Sequence, residues 1–419
     1  MEVRKENKVL MLLVFALSTA MFYLSEEVIP LGSFNLMTKY ALALGILFLC
    51  VFGFLARPNV GMLGQLGKDA LTLSVPALLT LLVSMVLWVF HRVSSDVIST
   101  GLSDVLYQLL SLMLSLCVVL VFGRKAVGLQ FGAMIAANLL ILINRHILVH
   151  GIGVFLKDLW TLVRSFGMVS GGTMVAVEVN DLTFAIGLYL LYYLIKNRPV
   201  PHRGWYLLAA CFFFAVGLKR IALAGIAVAL VVVLLCRFFK EDSRKRLLQF
   251  LSLGLIGFAL LYILAIKTGV YEYLAQRYNI DTMGRITLIH LIDEYYSFSP
   301  LFKGFGLGYT VEWLASEEIQ KLTQIRRLHN IFLELYVELG FWGYLVWLFS
   351  NFFFRVRHFC RKRGAQCALM TFSALLYCYF TYLTDNTYSY FYLNTALFTV
   401  ILSCAAEFID QETIREAEL

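Results

Sequence analysis

Apolar residues in this chain come in blocks, not in alternation. Runs of about 20 residues with few charges cover Val9 to Leu24 and then roughly 39–56, 70–90, 105–122, 126–143, 171–195, 204–217, 220–239, 247–266, 330–350, 366–384 and 388–406. Coiled as a helix at about 1.5 Å per residue, a run of that length crosses a hydrocarbon core of about 30 Å. The pattern predicts an all-α, polytopic integral membrane protein with about 12 transmembrane helices. A transmembrane β-barrel would show segments of about 10 residues of alternating polarity, and none is evident.

Composition agrees. Of 419 residues, 60% are hydrophobic and only 15% charged, against about 25% charged in a soluble domain. The net charge of +8 does not point to nucleic acid, because the cations sit in short clusters between apolar runs: Arg57 and Lys68, Arg124 and Lys125, Lys196–Arg203, Arg237–Arg246, and Arg355–Arg363. Such clusters mark cytoplasmic loops. With the N-terminus inside, strict alternation of the spans puts every cluster on the cytoplasmic face and both termini in the cytoplasm. The leading MEVRKENK followed by an apolar run could suggest a secretory signal. SEEVIP follows instead of a small-residue cleavage site, so the run is read as a retained first span.

The chain divides by pattern into N-terminal helices with an external segment (1–170), central helices (171–266), an external loop (267–329) and C-terminal helices (330–419). Residues 144–170 mix charges and apolar residues at helical spacing, which predicts an amphipathic helix lying on the membrane surface; a thirteenth span is the rival. Lys267 to His329 is the single long polar stretch, and loops of that length usually carry function. No internal repeat and no Walker motif is present. The cysteines (Cys50, Cys117, Cys211, Cys236, Cys360, Cys367, Cys378, Cys404) lie in expected spans or near basic loops and form no CxxC. That argues for packing residues, not a disulfide framework or a metal site.

The chemistry concentrates in RRLHNIFLELYVELGFWGY, Arg326 to Tyr344. His329 stands at the outer mouth of a span, and imidazole is the side chain suited to take a proton near neutral pH. Asn330, Glu334 and Glu338 share one helix face, and carboxylates in a membrane normally face a protein interior or a wet cavity. Gly340 and Gly343 would let another helix approach closely. A purely structural role fits these residues equally well.

Two further stretches stand out. Lys219 and Arg220 lie at the external end of a hairpin, opposite to the charge rule, as anchors or as an anion site at a helix N-terminus. Arg285 opens a stretch with Ile286, Ile289 and Ile292 at helical spacing that ends at Pro300, followed by KGFGLGY with Gly304, Gly306 and Gly308. This Gly-rich segment lacks the strand–helix context of a dinucleotide fingerprint, so it reads as a tight fold-back over the cavity. Glu178, Asp181 and Asp385 sit at external helix ends and could contact sugar hydroxyls or simply be solvated.

Three elements in order carry a resemblance: LKR at Lys219–Arg220, GR at Gly284–Arg285 followed by P-L-x-x-G-x-G-x-G from Pro300 to Gly308, and H-N-x-F-L-E-x-x-x-E-L-G-x-x-G from His329 to Gly343. Together they resemble the O-antigen ligase and polysaccharide polymerase superfamily, integral membrane glycosyltransferases with a GT-C-like fold. The resemblance covers about 171–350; before that it is one of hydropathy only. It implies an undecaprenyl-diphosphate-linked oligosaccharide as donor on the external face of the bacterial plasma membrane. A sugar hydroxyl would be the acceptor, with no metal and no cofactor. His329 would be the general base, with Arg220 and Arg285 binding the diphosphate leaving group. Lys219, Asn330, Glu334, Glu338, Gly306, Glu178 and Asp181 would be further substrate-binding candidates. At one position the chain departs: the family usually has Ser where Lys219 stands. The resemblance implies the lipid bilayer as surroundings and a chain-length-regulating co-polymerase as a frequent partner.

Within the family, a repeat-unit polymerase and a ligase that transfers the glycan to lipid A core or protein differ only in acceptor, and the motifs do not separate them. A transporter of lipid-linked sugars is also compatible with the spans. Transporters usually show internal repeats and helices broken at the midplane; here the charged groups gather at one face, which favours an enzyme.

Overall fold

A computed structural model describes residues 7–24, 33–164, 180–196, 202–217, 219–279, 282, 284–323, 325 and 327–418. Among these the regular structure is helical, with no strand. Every apolar run predicted from the pattern has a helix in its described part, including the short ones at Lys8–Tyr23, Asn180–Ile195 and Arg203–Gly217. Among the described residues, seven helices are long and apolar enough to span a membrane: Met37–Ala56, Val60–His91, Ser95–His150, Arg220–Arg237, Glu241–Lys267, Ile331–Lys362 and Phe391–Ile414. Many carry large apolar side chains outward, such as Phe48 and Phe52 on one helix and Phe250, Phe258 and Leu261 on another. A water-soluble surface would not leave such rows bare, whereas lipid tails solvate them.

The chain forms two compact units, each assembled from separate stretches. The first comprises 1–70, 110–234 and 390–419. Its interior is aromatic: Phe131 packs against Tyr189 and Tyr193, and Tyr193 stacks on Tyr206 with ring centroids 5.1 Å apart. Offset contacts of this kind add about 0.5–1.5 kcal/mol each beyond area burial. Gly217 packs directly on Thr183, where any larger residue would collide. Lys196 pairs with Glu407. The segment predicted as a surface-lying helix forms a helix over Ile152–Arg164. Ile152, Leu156 and Trp160, one turn apart, stand exposed on it, and Phe155 is buried.

The second unit comprises 71–109 and 235–389. The helices Glu241–Lys267, Ile331–Leu348 and Gly364–Tyr382 enclose an aromatic core. Phe332 meets Tyr379 at 4.7 Å, Trp347 stacks on Tyr344 at 5.7 Å, and the Tyr379 hydroxyl donates to the Leu255 carbonyl at 3.0 Å. The sequence alone suggests one uninterrupted span over 330–350, but Gly340 breaks it with φ 69° and ψ −178°. Only glycine adopts that conformation without strain.

The long polar loop is ordered into short helices: Val270–Arg277, Arg285–Ile292, Tyr309–Ala315 and Glu317–Gln320. The expected helix beginning at Arg285 is present but ends well before Pro300. Its buried positions are Leu288 and Ile292, so its inner face is turned relative to the predicted Ile286–Ile289–Ile292 stripe.

Candidate functional site

The Ile331–Leu348 helix starts where it does because Asn330 is a good N-cap. Its Oδ1 accepts the Leu333 N–H at 3.1 Å. Its Nδ2 donates to the Tyr262 hydroxyl at 2.9 Å, and Tyr262 donates in turn to the Leu383 carbonyl at 3.3 Å. One helix cap is thereby tied to the turn at 383–386. His329 immediately precedes the cap with φ 49°, a left-handed backbone that costs a non-glycine residue about 1–3 kcal/mol and persists only where its surroundings enforce it.

That same turn collects two of the candidate catalytic groups, His329 and Arg285. His329 Nδ1 lies 3.6 Å from Asp385 Oδ1, with the imidazole 40% exposed and the carboxylate 13%. Asp385 is itself oriented, since its Oδ1 accepts the Asn386 N–H at 2.8 Å. One residue earlier, the Thr384 carbonyl accepts Arg285 Nε at 3.0 Å, and Arg285 Nη1 donates to the Thr282 carbonyl at 3.3 Å. Gly284, left-handed at φ 80°, starts the helix that carries Arg285. Tyr271 stands nearby; burial raises its pKa and the Arg285 charge partly offsets this, so it remains a neutral phenol. A carboxylate at Nδ1 favours the imidazole tautomer protonated there, which leaves Nε2 as the basic nitrogen. At the Thr384 carbonyl of the same turn, the Arg285 guanidinium is held by Nε and Nη1, with Nη2 outside both bonds.

The two membrane carboxylates are buried and meet protein groups. Glu338 accepts the Thr310 N–H at 3.1 Å and the Thr310 hydroxyl at 2.6 Å. Glu334 accepts Arg327 Nη1 at 3.4 Å, and Arg327 reaches Asp104 on the Ser95–Phe122 helix at 3.0 Å. Burial works to lower the Arg327 pKa, but Asp104 and Glu334 outweigh it and raise it above the ordinary guanidinium value. Neither Arg327 nor Asp104 was singled out from sequence. The one signal was a cation in the same polar run as His329.

The glycine-rich segment wedges into the kink of the long helix. The N–H groups of Phe305 and Gly306 both donate to the Glu338 carbonyl at 3.0 and 2.7 Å, and Phe341 N–H donates to the Phe302 carbonyl at 3.0 Å. These bonds satisfy groups that the break at Gly340 would leave open. Gly304 abuts Gly340, and Gly308 abuts the Val97 carbonyl and Gly101. Trp88 Nε1 donates to the Leu307 carbonyl at 3.1 Å. The close approach expected at Gly340 comes from this loop; at Gly343 it comes from Val83 of the Val60–His91 helix. Gly306 thus spends its N–H within the protein. At Gly304, with φ 76°, an added Cβ meets backbone that cannot move aside, so Gly304→Ala is expected to cost about 1–3 kcal/mol or more. Gly254→Ala, in open space on a helix, is expected to be neutral or slightly stabilising. Thermal unfolding of the two variants in one detergent checks the contrast.

The remaining candidates lie elsewhere. Lys219 caps the Arg220–Arg237 helix, its carbonyl accepting Leu223 N–H at 3.0 Å, and Arg220 is exposed in the first turn. Both belong to the first unit, whereas Arg285 and His329 belong to the second. Asp181, also in the first unit, accepts the N–H groups of Tyr392 and Leu393 at 3.2 and 3.0 Å, capping the helix they begin. Glu178 lies outside the described residues. Among the described residues no group of three or more His, Cys, Asp or Glu could hold a metal ion.

A comparison with curated proteins finds no match. Residues 205–348 match the family model described as O-antigen ligase. That stretch contains Lys219–Arg220, Gly284–Arg285, the Pro300–Gly308 loop and the whole of His329–Gly343. Over those residues the chain is similar to that family, which bears out the resemblance to the O-antigen ligase and polymerase superfamily read from the motifs.

Proposed function

We propose that the protein is a repeat-unit polymerase for a cell-surface polysaccharide. It would move the growing glycan from undecaprenyl diphosphate to the non-reducing end of a new lipid-linked unit. The observation that carries this is the turn at 383–386, which holds His329 against Asp385 and Arg285 against Thr384. His329 Nε2 takes the proton of the acceptor hydroxyl. The oxygen forms a bond to the anomeric carbon as the bond from that carbon to the diphosphate oxygen breaks. The leaving group departs as undecaprenyl diphosphate, its growing negative charge met by Arg285, with Arg220 a further candidate phosphate contact. Fixed guanidinium groups suit this role because they stay protonated and grip phosphate oxygens in pairs. Asn330, Glu334, Glu338, Gly306, Lys219, Asp181 and Glu178 stand as candidates for the site's wall and sugar contacts, the first four through the backbone and side chains that shape it.

About twelve spans, cytoplasmic termini in the bacterial inner membrane and an external His329 follow from the placement of the basic clusters. A GT-C-like architecture and a chain-length-regulating co-polymerase extend the same family likeness. A ligase would share every step up to the acceptor, and the family match is equally consistent with it.

Purified protein in detergent, given lipid-linked repeat units, tests the proposal. A ladder of products is expected. A single transfer to added lipid A core and no ladder would establish the ligase instead, and no new glycosidic bond would leave transport. Because guanidinium groups meet the leaving-group charge, EDTA is expected to leave the rate unchanged; loss of activity restored by a divalent cation would contradict this.

A further inference from the structure

Arg327 is separated from His329 by one residue, Leu328, which is itself buried. Its guanidinium forks onto Asp104, with Nη2 3.0 Å from Oδ1 and Nη1 3.3 Å from Oδ2, while Nη1 also reaches Glu334 at 3.4 Å. Asp104 comes from the Ser95–Phe122 helix and Glu334 from the Ile331–Leu348 helix. On the other side of His329, Asn330 is fixed by its cap and by Tyr262. The strained backbone of His329 therefore sits between two anchors, and only one of them is a helix cap.

We propose that Arg327 is a positioning residue: the Asp104–Arg327–Glu334 clamp holds the chain before the helix so that the His329 imidazole stays on Asp385. The proposal rests on the reading of His329 as general base. A buried ion network is a poor source of stability, because desolvation offsets the attraction, and its best-attested use is to specify geometry. A guanidinium with both faces of its fork engaged can rotate little, and a tether of one buried residue transmits that restraint directly. Asp104 lies more than two hundred residues from His329 in sequence, so the clamp also makes the base dependent on docking of the Ser95–Phe122 helix. A misplacement of the base by about 1 Å can cost on the order of 100-fold in rate without altering donor binding.

Asp104→Asn keeps the side chain's shape and removes its charge. In full-length protein with lipid-linked donor, kcat is expected to fall on the order of 10–100-fold with donor KM nearly unchanged. Asp104→Glu is expected to recover most of kcat. Modification of His329 by diethyl pyrocarbonate, followed by mass spectrometry, is expected to become several-fold faster in Asp104→Asn. Wild-type kcat in Asp104→Asn overturns the proposal. So does a fall in kcat with unchanged His329 modification, and so does a raised donor KM at unchanged kcat, which would make Arg327 a donor contact. Should Asp104→Asn fail to fold, as judged by thermal unfolding, Arg327→Lys is measured with the same readouts and the same results decide. His329→Ala in parallel separates the two claims. If it stays active the base assignment fails, while the modification rate still reports on the clamp.

Discussion

His329→Ala is expected to lower turnover by about 10²–10⁴-fold, the range by which a positioned general base accelerates proton transfer, while the lipid donor still binds with near-normal affinity. The residue is 40% exposed and its imidazole lies 3.6 Å from Asp385, so its removal leaves no cavity in the core. Purified variant and wild type should therefore match in yield and thermal unfolding and differ in kcat. The left-handed backbone at His329 adds a second expectation: alanine is no better suited to that conformation, so the cap at Asn330 and its bond to Tyr262 stay as they are. Near-normal chain synthesis by His329→Ala would remove the base role, whatever the fate of the other residues. A matched loss of yield and activity would instead assign His329 to the scaffold.

Arg285→Lys is expected to lose about 10²–10³-fold in kcat, comparable to removing one charge-stabilising donor from an active site. Arg285 does two things at once. Its Nε and Nη1 donate to the Thr384 and Thr282 carbonyls, which sets the plane of the guanidinium beside the turn that carries Asp385. The remaining Nη2 edge is then presented in a fixed direction for a phosphate oxygen. A lysine ammonium is a single point and can either anchor to the turn or reach the phosphate, but cannot do both. Steady-state kinetics with a lipid-linked donor check this. Full activity in Arg285→Lys would show that the guanidinium does not touch the diphosphate.

The long apolar runs made the helices legible, because a bilayer fixes their length and a charge inside them is costly. His329 at a helix mouth and the buried pair Glu334 and Glu338 were visible for the same reason: polar groups stand out against an apolar run. Their pairings were not visible. Thr384, Asp104, Tyr262 and Thr310 are ordinary residues in their own stretches, and Asp385, visible only as a helix-end carboxylate, gains its place beside His329 only when the fold brings it to the 329–338 segment. Periodicity carries no information about pairings across hundreds of residues. The helix at Arg285 was foreseen but its inner face was not, since Leu288 and the three isoleucines are equally apolar and packing selects among them. The break at Gly340 was also hidden. A glycine within an apolar helix reads as a close-packing site, and here it is a kink because the loop at Gly304 docks into it. What an observer could have noticed is that both segments carry glycines with no helical purpose, in KGFGLGY and in ELGFWGY.

The claim on which the mechanism depends is that Arg285 and His329, both in the second unit, act together on one lipid-linked diphosphate donor. An experimental structure of the protein with undecaprenyl diphosphate bound addresses it directly. The expected result places a phosphate oxygen within hydrogen-bond distance of the Arg285 guanidinium, with His329 Nε2 facing the acceptor side of the anomeric carbon. A diphosphate seated away from Arg285 and His329 would contradict the account.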